Sequence, residues 1–117
     1  ERERHWQMDC LLQHQLFQSY ATLPTLIVGD FNDWRNTLAN ASLATKGFHQ
    51  LTSPPAQFRS FPSWLPVGGL DKVFVSKELQ SNQARVVRTS LAREASDHLP
   101  VVVDFTISTG RFEQKFG

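Results

Sequence analysis

The sequence predicts an α/β chain of the α+β type: one mostly antiparallel β-sheet with two helices on one face. Three observations lead there. Apolar and aromatic residues recur at helical spacing near the start, a short all-apolar run follows, and later strand-like runs succeed one another across short polar loops. Residues 3–20 read as the first helix, with Trp6, Cys10, Phe17 and Tyr20 on one stripe and Leu12 and Leu16 beside it. Cys10 is then a core residue of that helix. Leu23-Pro24 ends it. Residues 25–29, TLIVG, read as a strand buried on both faces. Residues 33–46 read as the second helix, with Asp33 as N-cap and Gly47 as the C′ stop.

Residues 48–51 form a short extended piece, and Pro54-Pro55 marks a loop. QFRSF at 57–61 alternates like a strand closed by Pro62, and Pro66 with Gly68-Gly69 marks the next loop. LDKVFVS at 70–76 is rich in β-formers, Glu78 to Gln83 read as a polar turn, and ARVVRTS at 84–90 as a further strand. Residues 91–98 read as irregular. LPVVVDFTI at 99–107 is the last strand, with Pro100 near its start, where a missing N–H is tolerated. Residues 108–117 form a polar tail with Phe112 and Phe116, expected to dock or to be mobile. Short loops between consecutive strands are the mark of antiparallel pairing.

The 117 residues suit one domain or part of a larger one. A hydrophobic content of 40% suffices for a core. A net charge of +1 makes no electrostatic case for a strong nucleic-acid or membrane binder, and Arg85, Arg88 and Arg93 read as solvated surface. The one cysteine excludes an intrachain disulfide. No apolar run is long enough to span a bilayer, and no signal-peptide pattern is present. Compartment stays open, with the cytoplasm slightly favoured. A start at Glu1, within a charged ERER run, is expected of a processed product or a piece of a longer protein.

Three polar insertions stand next to strands: Gly29-Asp30-Phe31-Asn32, Leu70-Asp71, and Ser96-Asp97-His98-Leu99-Pro100. Such groups are costly to bury unpaired, so they meet one another or face water. If they converge, the set is three aspartates, one asparagine and one histidine. Carboxylate oxygens suit a hard cation such as Mg²⁺ or Mn²⁺. The cation, a protonated histidine or an asparagine amide can neutralise charge on a phosphoryl oxygen. A carboxylate can take a proton from an attacking water, and a second can hold the histidine protonated. Thiols and imidazoles at zinc-ligand spacing are absent, as are a phosphate-binding glycine loop and a nucleophile elbow. Asp30 and Asn32 lie two apart, so continued extended geometry puts them on one side and Phe31 on the other, with Gly29 giving backbone room.

GDFN after an apolar strand, then RSFPSW, then LDKVFVS, then SDHLPVVVDF resemble, in that order, the C-terminal half of the endonuclease/exonuclease/phosphatase family, which includes DNase I-like nucleases, sphingomyelinases and inositol-phosphate phosphatases. The resemblance implies a metal-dependent phosphoester hydrolase that drives in-line attack of water on a phosphoryl group. By resemblance Asp30 orients or deprotonates the water, Asn32 contacts the scissile phosphate, Asp71 pairs with the histidine, and His98 stabilises the transition state. Asp97, with Asp30, is implied as a metal ligand for Mg²⁺ or Mn²⁺. Phe61 and Trp64 are implied to lie near the substrate. Lys72 stands where relatives often carry an aromatic or a histidine.

The family fold is an αββα sandwich of two similar halves, and the resemblance makes residues 1–117 one of them. Its first half supplies an asparagine and a metal-binding glutamate, and no residue before Asp30 fits those roles; the acids there are Glu1, Glu3 and Asp9. Three expectations follow. The N-terminal half is a missing partner, the chain alone hydrolyses little or nothing, and it self-associates through an exposed apolar sheet face. Candidate substrates include nucleic acid, phospholipid and inositol phosphate. The competing reading is a non-catalytic structural or interaction module that keeps the family core.

Overall fold

The computed structural model describes residues 2–20, 22–38 and 42–107. Its elements run α1 (Arg2–Gln13), α2 (Gln15–Ser19), β1 (Leu26–Asp30), α3 (Ser42–Thr45), β2 (His49–Gln50), β3 (Asp71–Val75), β4 (Leu79–Val86), α4 (Ser90–Ala95) and β5 (Val101–Ile107). Among the described residues the single expected sheet is two: a three-stranded sheet in the order β1-β3-β2 and a two-stranded sheet of β4 and β5. All pairings are antiparallel.

The pleat of β3 sorts the core. Phe74 faces the helices, in a cluster with Met8, Leu12, Leu38, Leu43 and Phe48. Val73 and Val75 face the other way and meet Leu79, with Val103 of the second sheet packed against them. A third cluster of Phe58, Val86, Ala92 and Leu99 ties α4 to β4.

The first helix departs from its expected form. His14 takes an extended conformation, and its ring nitrogen accepts from the Leu16 N–H, so α2 starts a new phase. The break separates Trp6 and Cys10 from Phe17 and Tyr20. Met8 and Leu12 are the buried residues of α1, while Trp6 and Tyr20 are exposed. Cys10 is exposed as well, not a core residue.

Of the expected second helix over 33–46, the described residues hold the four of α3, and 39–41 lie outside them. Asp33 does not cap a helix there. Buried, it accepts from the backbone N–H groups of Thr37 and Leu38 and from the Thr37 hydroxyl, closing a polar loop. Gly47 does close α3, at φ +84. No strand forms over 57–61: Pro55–Gln57 is a 3-10 turn, and Phe61 makes an isolated bridge to Gly68. The strand expected from residue 84 begins at Leu79.

The segment 91–98 is not wholly irregular, because α4 occupies Ser90–Ala95. The Thr89 hydroxyl accepts from the Ala92 N–H as its N-cap. The run SLAREA is made largely of good helix formers, a legible signal. β1 is not buried on both faces, since Val28 is 63% exposed. Residues 108–117, with the expected tail, lie outside the described residues.

Candidate active site

The register of the first sheet places Asp30 and Asp71 directly opposite each other, at the end of the β1–β3 ladder. Antiparallel partners share a face, so two carboxylates meet across the strands, an unfavourable pairing on its own. His98 answers it. Its Nδ1 lies 2.7 Å from Asp71 Oδ2, and its Nε2 lies 3.7 Å from Asp30 Oδ2. The Asp71 hydrogen bond, foremost, together with the carboxylates of Asp71, Asp30 and Asp97, raises the His98 pKa above 6.5 against the opposing effect of burial. A protonated ring donates Nδ1–H to Asp71 and sets a positive charge beside Asp30.

Two loops hold this arrangement. The Leu99 N–H donates to the Ser60 carbonyl and the Ser63 N–H to the Asp97 carbonyl, so the His98 peptide is gripped on both sides. The buried Ser60 hydroxyl donates to Asp71 Oδ2 at 2.5 Å, fixing the carboxylate that orients the histidine. Phe61 packs on the imidazole at a centroid distance of 4.7 Å. Ser60 was absent from the sequence reading; its signal, a small polar residue inside RSFPSW, is weak by itself.

At the tip of β1 extended geometry does not continue. Asn32 turns into the left-handed region at φ +50, and its N–H donates to Asp30 Oδ1. Phe31 packs inward as expected, edge-on to Phe74. Gly29, at φ +154, holds a conformation closed to other residues, yet an added Cβ would meet nothing within 4 Å. Glycine is needed there for conformation, not for room.

Asp97 is exposed and near enough for its charge to act on His98, but the cluster with ligand atoms within 4.8 Å of one another is Asp30, Asp71 and His98. Trp64 is exposed. A cleft of about 420 Å³ runs along the cluster, lined by Val28, Asp30, Asp71, His98, Pro100 and Val101 among others. Carboxylate donors fit a hard, oxygen-preferring cation. His98 is the poorer donor, since Asp71 holds its Nδ1 and favours its protonated form.

Known proteins share this arrangement of strands. The profile of the Endonuclease/Exonuclease/phosphatase family matches residues 1–98. The chain belongs to this family. Among curated relatives, the UPF0294 protein of Vibrio vulnificus strain YJ016 is 34% identical over 91 residues, covering 75% of this chain and 29% of the relative. A conserved protein of unknown function from Enterococcus faecalis V583 has a similar structure, with a TM-score of 0.70 and 24% identity over 90% of this chain and 44% of that one. An endonuclease/exonuclease/phosphatase protein of Beutenbergia cavernae matches at a TM-score of 0.63 and 21% identity, covering 92% and 31%. A mannosyl-6-phosphatase of Bacteroides thetaiotaomicron matches at 0.59 and 22%, covering 86% and 42%. At such identities the structures share a fold. The chain spans less than half of each of these proteins.

Proposed function

We propose that these residues form the acid–histidine side of a metal-dependent phosphoester hydrolase, as the C-terminal half of the family's αββα sandwich. One observation carries the reading: His98 stands between Asp71 and Asp30, held to the first at 2.7 Å and within 3.7 Å of the second. Asp71 keeps the ring protonated and oriented, so Nε2 offers a proton and a positive charge to a phosphoryl oxygen. Asp30, its side chain 47% exposed, takes the proton of an attacking water. Asn32 contacts the phosphate, and Phe61 and Trp64 border the substrate. Asp30 and Asp71 of the cluster, with Asp97 nearby, are the carboxylates that would hold Mg²⁺ or Mn²⁺, which when bound would neutralise phosphoryl charge.

On this reading the remainder of the site, including a further metal-binding acid, belongs to the other half of the family fold, as the chain spans less than half of each protein it matches. The first sheet's face by the cleft, where Val28 is exposed, is the one proposed to meet more protein. Alone, the chain self-associates there and turns over little; a clean monomer in light scattering at high concentration argues against that part. The structural likeness to a mannosyl-6-phosphatase favours including monoesters among substrates, and the near-neutral charge disfavours tracking along DNA.

The test uses the full-length gene product with Mg²⁺ against bis(p-nitrophenyl) phosphate and p-nitrophenyl phosphate. Hydrolysis of either, lost in His98→Ala, is the expected result. No hydrolysis of either ester class refutes the reading and leaves the non-catalytic module; full activity in His98→Ala refutes the role given to the acid–histidine cluster.

A further inference from the structure

We infer that Trp34 is a positioning residue, whose indole N–H fixes which end of the Asn32 amide faces the site. The kinetic consequence rests on the hydrolase reading; the structural one does not. Asn32 Oδ1 accepts from Trp34 Nε1 at 3.0 Å. An indole N–H only donates, so the partner end of the amide must be its oxygen. That leaves the NH₂ end of Asn32 as the donor the side chain can turn to another group. The distinction matters for a phosphoester. A phosphoryl oxygen only accepts hydrogen bonds, so it is attracted by the NH₂ end and repelled by the carbonyl end. An amide free to flip would present the wrong end part of the time.

The indole is held for this task although it is 53% exposed. Its ring lies against Gly68 so closely that a Cβ there would sit 2.5 Å from Cζ3 and 2.9 Å from Cε3. Gly68 is not among the glycines with positive φ. Close approach of the ring, not backbone freedom, is therefore what excludes a side chain at this position. Gly68 itself is fixed: its N–H donates to the Phe61 carbonyl at 2.9 Å and its carbonyl accepts from Ser60 and Phe61. Phe61 in turn meets the Trp34 ring edge-on at 6.1 Å and packs on His98. On the other side, Asp33 anchors the loop to Thr37 and Leu38. Trp34 thus ties Asn32 to the same scaffold that carries His98. A surface tryptophan that merely packs would not need its N–H aimed at Asn32.

Two experiments test this in the full-length protein. In a ¹⁵N-labelled sample, the Trp34 indole N–H resonance shifts in Asn32→Ala and in Gly68→Ala, while those of Trp6 and Trp64 hold. An unmoved Trp34 resonance in Asn32→Ala overturns the inference whether or not the protein hydrolyses anything. In the kinetic arm, Trp34→Phe keeps a ring over Gly68 but removes the N–H. It is expected to lower kcat/KM roughly three- to tenfold, the range of one hydrogen bond. The loss should vanish in an Asn32→Ala background, because the two act as one unit. Wild-type activity in Trp34→Phe, or the same loss in both backgrounds, overturns the inference while leaving the hydrolase reading intact. Absence of wild-type hydrolysis refutes that reading instead, and the resonance then decides for Trp34.

Discussion

Two charged clusters grow from the same two stretches of chain, a few residues apart, and they are built oppositely. On one face of β3, Asp71 meets Asp30 and His98 at the edge of an open cleft. On the other, the next residue, Lys72, is 2% exposed, and its Nζ donates to Asn36 Oδ1 at 2.6 Å. Asp33, 1% exposed, stands near it with its hydrogen bonds to Thr37 and Leu38. Burial would raise the Asp33 pKa, but the N–H groups of Leu38 and Thr37 and the Lys72 charge outweigh it and lower the value. Burial lowers the Lys72 pKa, partly offset by Asp33. The buried cluster has its polar groups satisfied and fixes the loop. The open cluster keeps carboxylate oxygens and an imidazole at the edge of the cleft. Accessibility, more than charge, separates structural residues from candidate catalytic ones here.

Substitutions should separate the two clusters sharply. Asp33→Ala strips the buried Thr37 and Leu38 N–H groups of their acceptor and should cost about 2–4 kcal/mol of stability by urea denaturation. A cost under about 1 kcal/mol would show that the Asp33 carboxylate is not what holds the loop. His98→Ala should do the reverse. Hydrolysis by the full-length protein falls at least about 100-fold, while stability changes by about 1 kcal/mol or less, as befits a partly solvated pair.

Gly29→Ala probes the backbone behind the open cluster. With free space for its Cβ, the cost is conformational alone, about 1–3 kcal/mol. An unchanged melting temperature would mean that the strand tip relaxes freely.

The smallest effect concerns pH, and the clusters should fail at opposite ends. His98 has a raised pKa, so its stabilising contribution is complete below 6.5 and is lost as pH rises through the folded-state midpoint. Asp33 has a lowered pKa, so its contribution is present above 3.8 and is lost as pH falls through its folded-state midpoint. An NMR titration should place the His98 midpoint above 6.5, and Asp71→Asn should bring it down; an unmoved midpoint in that variant removes Asp71 as the cause.

Much of the site was legible because it is written in local runs. A strand-like run, a glycine and the acids mark the tip of β1, and LDKVFV marks β3 with Asp71 at its head. The family resemblance of those blocks, and the α+β character with antiparallel pairing, follow from the same runs. Side-chain direction was less legible. Trp6 and Cys10 fit a helical stripe, but the break at His14 lets Met8 and Leu12 face the core instead. Asp33 fits an N-cap, but its contacts lie four and five residues ahead, in a loop.

By itself, then, the sequence determined which residue types stand at the strand ends, and so the chemistry on offer: carboxylates, an amide and an imidazole beside apolar strands. Tertiary structure alone decided that Asp30 and Asp71 face each other in register, that His98 comes between them from a loop 27 residues beyond Asp71, and that Lys72 turns to the buried side. It also decided that one expected sheet is two. The physical reason is range. Propensity and periodicity act over a few residues, whereas strand register, side-chain burial and the pairing of charges are fixed by contacts between segments far apart in the chain.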